Sequence, residues 1–149
     1  NNLGFLFKGL KRYEEAEKEY GKAIRIDPDY AGAHNNLGVL FKDLKRYEEA
    51  EKEYGEAIRI DPDYAAAHNN LGVLFKDLKR YEEAEKEYGK AIRIDPDSAE
   101  AHGNLGVLLH NLKRYEEAKE EYEIAKSLFA KQGRDEDVKV VEELVEELK

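Results

Sequence analysis

From Ala33 onward the apolar positions return at spacings of three and four: Ala33, Leu37, Leu40, Phe41 and Leu44, then, past Lys45-Arg46, Tyr47, Ala50, Tyr54, Ala57 and Ile58. Such spacing lines apolar side chains along one face of a helix. The stretch therefore predicts two helices, separated by a tight turn at Lys45-Arg46. Glu48 and Glu49 stand in the first turn of the second helix, where the helix dipole favours anions. Asp61-Pro62-Asp63 ends it, because proline cannot continue a helix. Two helices joined so tightly form an antiparallel hairpin.

The pattern then repeats. Leu3-Gly4, Leu37-Gly38, Leu71-Gly72 and Leu105-Gly106 recur every 34 residues, as do Tyr13, Tyr47, Tyr81 and Tyr115, each followed by Glu-Glu-Ala. Residues 31–64 and 65–98 differ at three positions only: Gly32/Ala66, Glu56/Lys90 and Tyr64/Ser98. One hairpin cannot bury both of its apolar stripes, whereas a second identical hairpin stacked on it can. The expected architecture is all-α, a single domain over 1–149, divided into a partial repeat (1–30), three repeats (31–64, 65–98 and 99–132) and a C-terminal capping helix (133–149). Val138, Val141, Val145 and Leu148 are the apolar stripe of that last helix. Gly38, Ala50 and Ala57, with their copies, mark where backbones approach closely.

The period, the Leu-Gly pair, Tyr-Glu-Glu-Ala, the later alanine and the closing Asp-Pro make residues 1–130 resemble a tetratricopeptide repeat (TPR) protein. The resemblance implies an alpha-solenoid, a right-handed superhelix of antiparallel helix hairpins. Two features depart from the family pattern. Lys11, Lys45, Lys79 and Lys113 stand where the family often has a glycine between the helices, so a left-handed turn there is strained for lysine. His34, His68 and His102 stand where the family often has tryptophan or tyrosine.

Composition narrows the function classes. Charged residues make up 40% of the chain and the formal net charge is -9. An acidic total argues against nucleic acid, which needs a basic surface. Cysteine is absent, which rules out disulfides and thiolate chemistry and fits a cytoplasmic location. No apolar run is long enough to span a membrane. The chain starts at Asn1 in mid-pattern, and the expectation is a fragment, a processed chain or an engineered array.

Candidate chemistry is sparse. His34, His68 and His102 are related by translation, so their side chains do not converge as a zinc shell requires; they read as packing residues, and no metal or cofactor is expected. His110 replaces the lysine of earlier units and reads as a solvent-facing change. The Glu-Glu pairs recur in every unit beside lysines and read as a solvated face. Ser98 and Ser127 have no triad around them. The chain is not expected to be an enzyme. Gly21, Gly55 and Gly89 lie inside second helices, where glycine costs about 1 kcal/mol against alanine. They read as a surface column, or as sites where a side chain was removed to admit another chain.

A second stripe runs along each first helix: Asn35, Asn36, Val39, Lys42 and Asp43; then Asn69, Asn70, Val73, Lys76 and Asp77. The front unit gives Asn1, Asn2, Phe5 and Lys8, and the last gives Asn104, Val107 and His110. The family resemblance implies that this face lines a concave groove and holds a peptide. Asparagines offer a donor and an acceptor each, the valines an apolar floor, and the lysines attraction for an acidic segment or a C-terminal carboxylate. With units about 10 Å apart and a peptide rise of about 3.3 Å, each unit meets about three partner residues. The opposing reading is that Asn36 and its copies tie neighbouring helices and the lysines balance local aspartates. The family's carboxylate clamp for chaperone tails would need lysine in place of Asn1 and Ala66, asparagine in place of Phe5 and arginine in place of Asn70; only Asn36 matches. Function reads as a protein–protein interaction scaffold. The alternative is a self-associating or engineered array with no dedicated ligand, joined through the uncapped N-terminal end at Leu3, Phe5 and Phe7.

Overall fold

The computed structural model describes the backbone of residues 2–148 and the side chains of residues 12–148. Among the described residues there are eight helices and no strand. They fall into two compact units, residues 1–67 and 68–149. The first holds α1 (Asn2–Ile26), α2 (Ala31–Asp43) and α3 (Tyr47–Ile60), with α1 packed on α2 and α2 on α3. The second holds most of α4 (Ala65–Asp77), then α5 (Tyr81–Ile94), α6 (Ala99–Asn111), α7 (Tyr115–Lys131) and α8 (Asp135–Glu146). Within it α5 packs on α6, α6 on α7 and α7 on α8.

Each hairpin turn is made the same way. In the first, Lys45 has φ 59°, with Lys79 and Lys113 at 60° and 62°. The Arg46 amide donates to the Phe41 carbonyl at 2.8 Å and the Lys45 amide to Lys42 at 2.9 Å, the backbone pattern that closes a helix around a left-handed residue. Lysine there is strained by about 1 kcal/mol. At the far end of the hairpin Asp61 accepts from the Asp63 amide at 3.1 Å through its side chain, a local turn that competes with helix.

The two helices of a hairpin meet at a glycine and a tyrosine. A Cβ on Gly38 would lie 2.7 Å from two ring carbons of Tyr54; Gly72 meets Tyr88 at the same distance and Gly106 meets Tyr122 at 2.6 Å. Only glycine leaves room for that ring. Tyr54, Tyr88 and Tyr122 are fully buried, as are the flanking alanines Ala50, Ala57, Ala84, Ala91, Ala118 and Ala125.

The three histidines hold hairpins together. His34 Nδ1 lies 2.7 Å from Glu53 Oε2 on α3, and its Nε2 lies 3.1 Å from the Pro28 carbonyl. His68 meets Glu87 at 2.6 Å. His102 meets Glu121 at 2.6 Å and the Pro96 carbonyl at 3.1 Å. The hydrogen bond to Glu121, against the cost of burial, holds the His102 pKa above its usual value. A second clamp follows the turn. Arg46 stacks over the Phe41 ring at 4.1 Å, forks onto Glu49 at 2.6 Å and reaches Glu17 on α1 at 2.8 Å.

The ends differ from the repeat. The 34-residue period divides the chain again at Lys11, yet α1 runs unbroken from Asn2 to Ile26. At the other end Gly133 takes φ 69°, and α8 lays Val141 into the last core, with Val138, Leu144, Val145 and Leu148 packed around it.

Candidate peptide-binding face

The stripe read from the sequence lies on α2, α4 and α6. In the first unit Asn35 is buried and its amide donates to Asn36 Oδ1 at 3.5 Å, while Asn36 and Asp43 are exposed and Val39 and Lys42 are half-buried. Asn36, Val39 and Asp43, with Leu40, face Arg12, Tyr13, Ala16 and Tyr20 of α1 across a cavity of about 440 Å³. Asn1, Asn2, Phe5 and Lys8 lie outside the residues whose side chains are described.

In the second unit Asn69, Asn70, Val73 and Lys76 are half-buried and Asp77 is exposed. Asn104 Nδ2 donates to Asn69 Oδ1 at 3.0 Å. That bond ties α6 to α4 and brings the two stripes alongside each other. It also answers the question left open for the asparagines at this pair: each gives one hydrogen-bonding group to the neighbouring helix. Lys76 Nζ lies 4.0 Å from Asp77 Oδ1, so an aspartate on the same face balances part of its charge. Val107 packs against the core that α8 closes. His110, expected to face solvent, is half-buried and stands edge-on to the rings of Tyr115 and Tyr122, at 5.8 and 6.5 Å. An imidazole fills the space beside two aromatic rings better than it solvates.

The other candidates are structural. Forks from Arg46, Arg80 and Arg114 hold Glu49, Glu83 and Glu117 below the usual carboxylate range through hydrogen bonds, the opposite of what a general acid needs. Among the described residues no group of three or more His, Cys, Asp or Glu side chains is placed to hold a metal, and no helix is long and apolar enough to cross a membrane. Ser98 caps α6, accepting from the Ala101 amide at 3.3 Å. Gly55 is exposed, with open space where a Cβ would stand.

Sequence reasoning missed Arg12, Tyr13, Ala16 and Tyr20 as lining residues, because their copies Arg46, Tyr47, Ala50 and Tyr54 serve a closed hairpin. It also missed the histidine–glutamate ties. The signal was present: each pair is 19 residues apart, in three consecutive units.

Comparison with known proteins agrees with this architecture. The family description "TPR repeat" matches residues 4–45, 40–79 and 74–113, and "Tetratricopeptide repeat" matches residues 99–132. The Arabidopsis OM64 TPR domain is 25% identical, with a TM-score of 0.69, over 78% of this chain and 94% of that one. The TPR2B domain of yeast Sti1, in a complex with pHsp70, is 22% identical with a TM-score of 0.75, over 79% and 94%. MamA is 21% identical with a TM-score of 0.69, over 93% and 90%. No curated protein sequence matches the chain.

Proposed function

The chain belongs to the tetratricopeptide repeat family, an all-α solenoid of helix pairs, and on that premise we propose that it is a non-catalytic scaffold holding an extended peptide along α4 and α6. The observation that carries this reading is the Asn104–Asn69 bond. It joins the two helices that carry Val73 and Lys76 on one side and Val107 and His110 on the other, residues that offer a partner apolar, cationic and aromatic groups. The fold likeness to a domain seen with pHsp70 supports a protein or peptide as partner class. Lys42 and Lys76 favour a segment bearing carboxylates, side-chain or terminal, in a cytoplasmic setting.

The test is a titration of a short acidic peptide with a free C-terminus into isotope-labelled protein at low ionic strength. Amide signals of Asn36, Val39, Val73, Lys76 and Asp77 should shift, and Lys76→Glu should weaken binding about tenfold or more with helicity unchanged, since exposed charge pairs act strongly at low salt. Shifts confined to α7 and α8, or affinity untouched by Lys76→Glu, would remove the proposal.

A second reading is self-association through the first unit. It is favoured by exposed Tyr13, Ile26 and Tyr30, and it expects molar mass to rise with concentration.

A further inference from the structure

The imidazole of His102 stands between two acceptors. Its Nδ1 lies 2.6 Å from Glu121 Oε2 on α7, and its Nε2 lies 3.1 Å from the Pro96 carbonyl in the turn before α6. A neutral imidazole has one N–H to donate and an imidazolium has two, whereas a carbonyl and an ionised carboxylate have none. Filling both bonds therefore takes one proton more than a neutral ring beside a carboxylate holds. Histidine binds that proton more tightly than glutamate does, so it sits on the ring. The ring is buried. The charged groups acting on it, Glu121 from α7 and Asp95 from the end of α5, are acids. Asp95 also accepts from the Asp97 amide at 3.2 Å, Asp97 itself is exposed, and Glu100, on the same helix as His102, is taken up by Arg134. The same pair of acceptors flanks His34: Glu53 at 2.7 Å and the Pro28 carbonyl at 3.1 Å.

We infer that His102 is a proton-operated latch: doubly protonated, it ties α6 at once to α7 and to the Asp95-Pro96-Asp97 turn, and loss of one proton releases the turn. The direction of release follows from the acceptors. A neutral ring keeps one N–H, and the carboxylate, being charged, is the stronger acceptor. The proton stays on Nδ1, and bare Nε2 is left facing the Pro96 carbonyl, lone pair against lone pair. The hydrogen bond to Glu121, against the cost of burial, holds the ring's pKa above its usual value. The latch is therefore closed below the usual value and opens as pH rises through the folded one. One position tunes it. In the preceding unit Lys90, three residues after Glu87, binds one oxygen of that carboxylate at 2.7 Å while His68 Nδ1 holds the other at 2.6 Å. Three residues after Glu121 the chain has Ile124 instead, 41% exposed. Among the described residues Glu121 thus has His102 as its one ion-pair partner.

The test is a pH series of long-range proton–nitrogen NMR spectra on nitrogen-labelled protein, which report the protonation of each ring nitrogen, with backbone amide spectra of the same samples. At about pH 6, below the ordinary histidine value, both His102 nitrogens should carry a proton. As pH rises, Nε2 should lose its proton while Nδ1 keeps one, and the amide signals of Asp97 and Ser98 should move in the same step. Glu121→Gln should bring that step down by about one pH unit or more, since the opposite charge beside the ring is gone. Ile124→Lys, at an exposed position, offers Glu121 the rival that Lys90 offers Glu87, and should also move the step down with helicity unchanged. A His102 nitrogen without a proton at about pH 6 would overturn the latch, as would loss of the Nδ1 proton before that on Nε2. A step that stays in place in either folded variant, or turn amides that do not move with it, would do the same.

Discussion

Replacing Gly72 and Gly55 by alanine should change stability in opposite directions, although both lie in helix interiors. On propensity alone each change gains about 1 kcal/mol. At Gly72 the new Cβ would stand 2.7 Å from two carbons of the Tyr88 ring, where ordinary contact begins at 3.4 Å. The ring must retreat roughly 0.7 Å, yet Tyr88 is fully buried between its alanines, so the helices must part instead. Overpacking of this kind costs about 1–3 kcal/mol. The expected net effect is a loss of up to about 2 kcal/mol, set against a gain of up to about 1 kcal/mol at Gly55, whose Cβ would meet nothing within 4 Å. Urea denaturation followed by circular dichroism reads both. Midpoints should be compared rather than extrapolated free energies, because repeat arrays depart from two-state behaviour. A double-mutant cycle isolates the ring: in a Tyr88→Leu background, Gly72→Ala should lose most of its cost. If Gly72→Ala stabilised the protein as Gly55→Ala does, or cost the same without the ring, the argument that glycine admits tyrosine at the hairpin interface would be refuted.

Three further outcomes follow from the same geometry. Lys79 holds φ 60°, so Lys79→Gly should stabilise by about 1 kcal/mol, read as a higher urea midpoint; a lower midpoint would deny the strain. The Tyr54, Tyr88 and Tyr122 hydroxyls are buried without a hydrogen-bond partner, so Tyr88→Phe should be neutral or stabilising by about 1 kcal/mol. Burial pushes the Tyr122 phenol up to about 12 and the other two above the usual tyrosine value as well. These groups add stability that is complete below about pH 10 and lost as pH climbs toward their folded values, visible as a delayed tyrosinate absorbance that coincides with unfolding. His102 has its pKa raised by Glu121, so its contribution is complete below about pH 6.5 and fades as pH rises through the folded value. Glu121→Gln should flatten stability across that window, and a titration of the His102 ring by NMR gives the same answer independently.

Much of this molecule could be read in its letters because each feature is local. A 34-residue period, apolar spacings of three and four, and Asp-Pro stops place the helices from α2 to α7. A small residue opposite a large ring, Gly38 with Tyr54, is visible as a recurrent spacing. The left-handed lysines were foreseeable for the same reason: a turn that tight between two helices requires the conformation, whatever residue occupies it. The polar stripe falls on α2, α4 and α6, but which of its amides bond to a neighbouring helix could not be read from spacing, because an amide side chain serves whichever neighbour lies within about 3 Å.

The sequence by itself determined the repeat, the helix boundaries after Lys11 and the family, since these follow from backbone geometry and from which residues share a helix face. Only the tertiary structure decided that Asn104 spends a donor on Asn69, that His110 packs between tyrosine rings, that each early histidine pairs with a glutamate, and that Lys11 stays inside a helix. Those outcomes depend on which surfaces meet. At Lys45 the Arg46 amide reaches the Phe41 carbonyl and closes the turn around a left-handed lysine, whereas the backbone at Lys11 continues as helix.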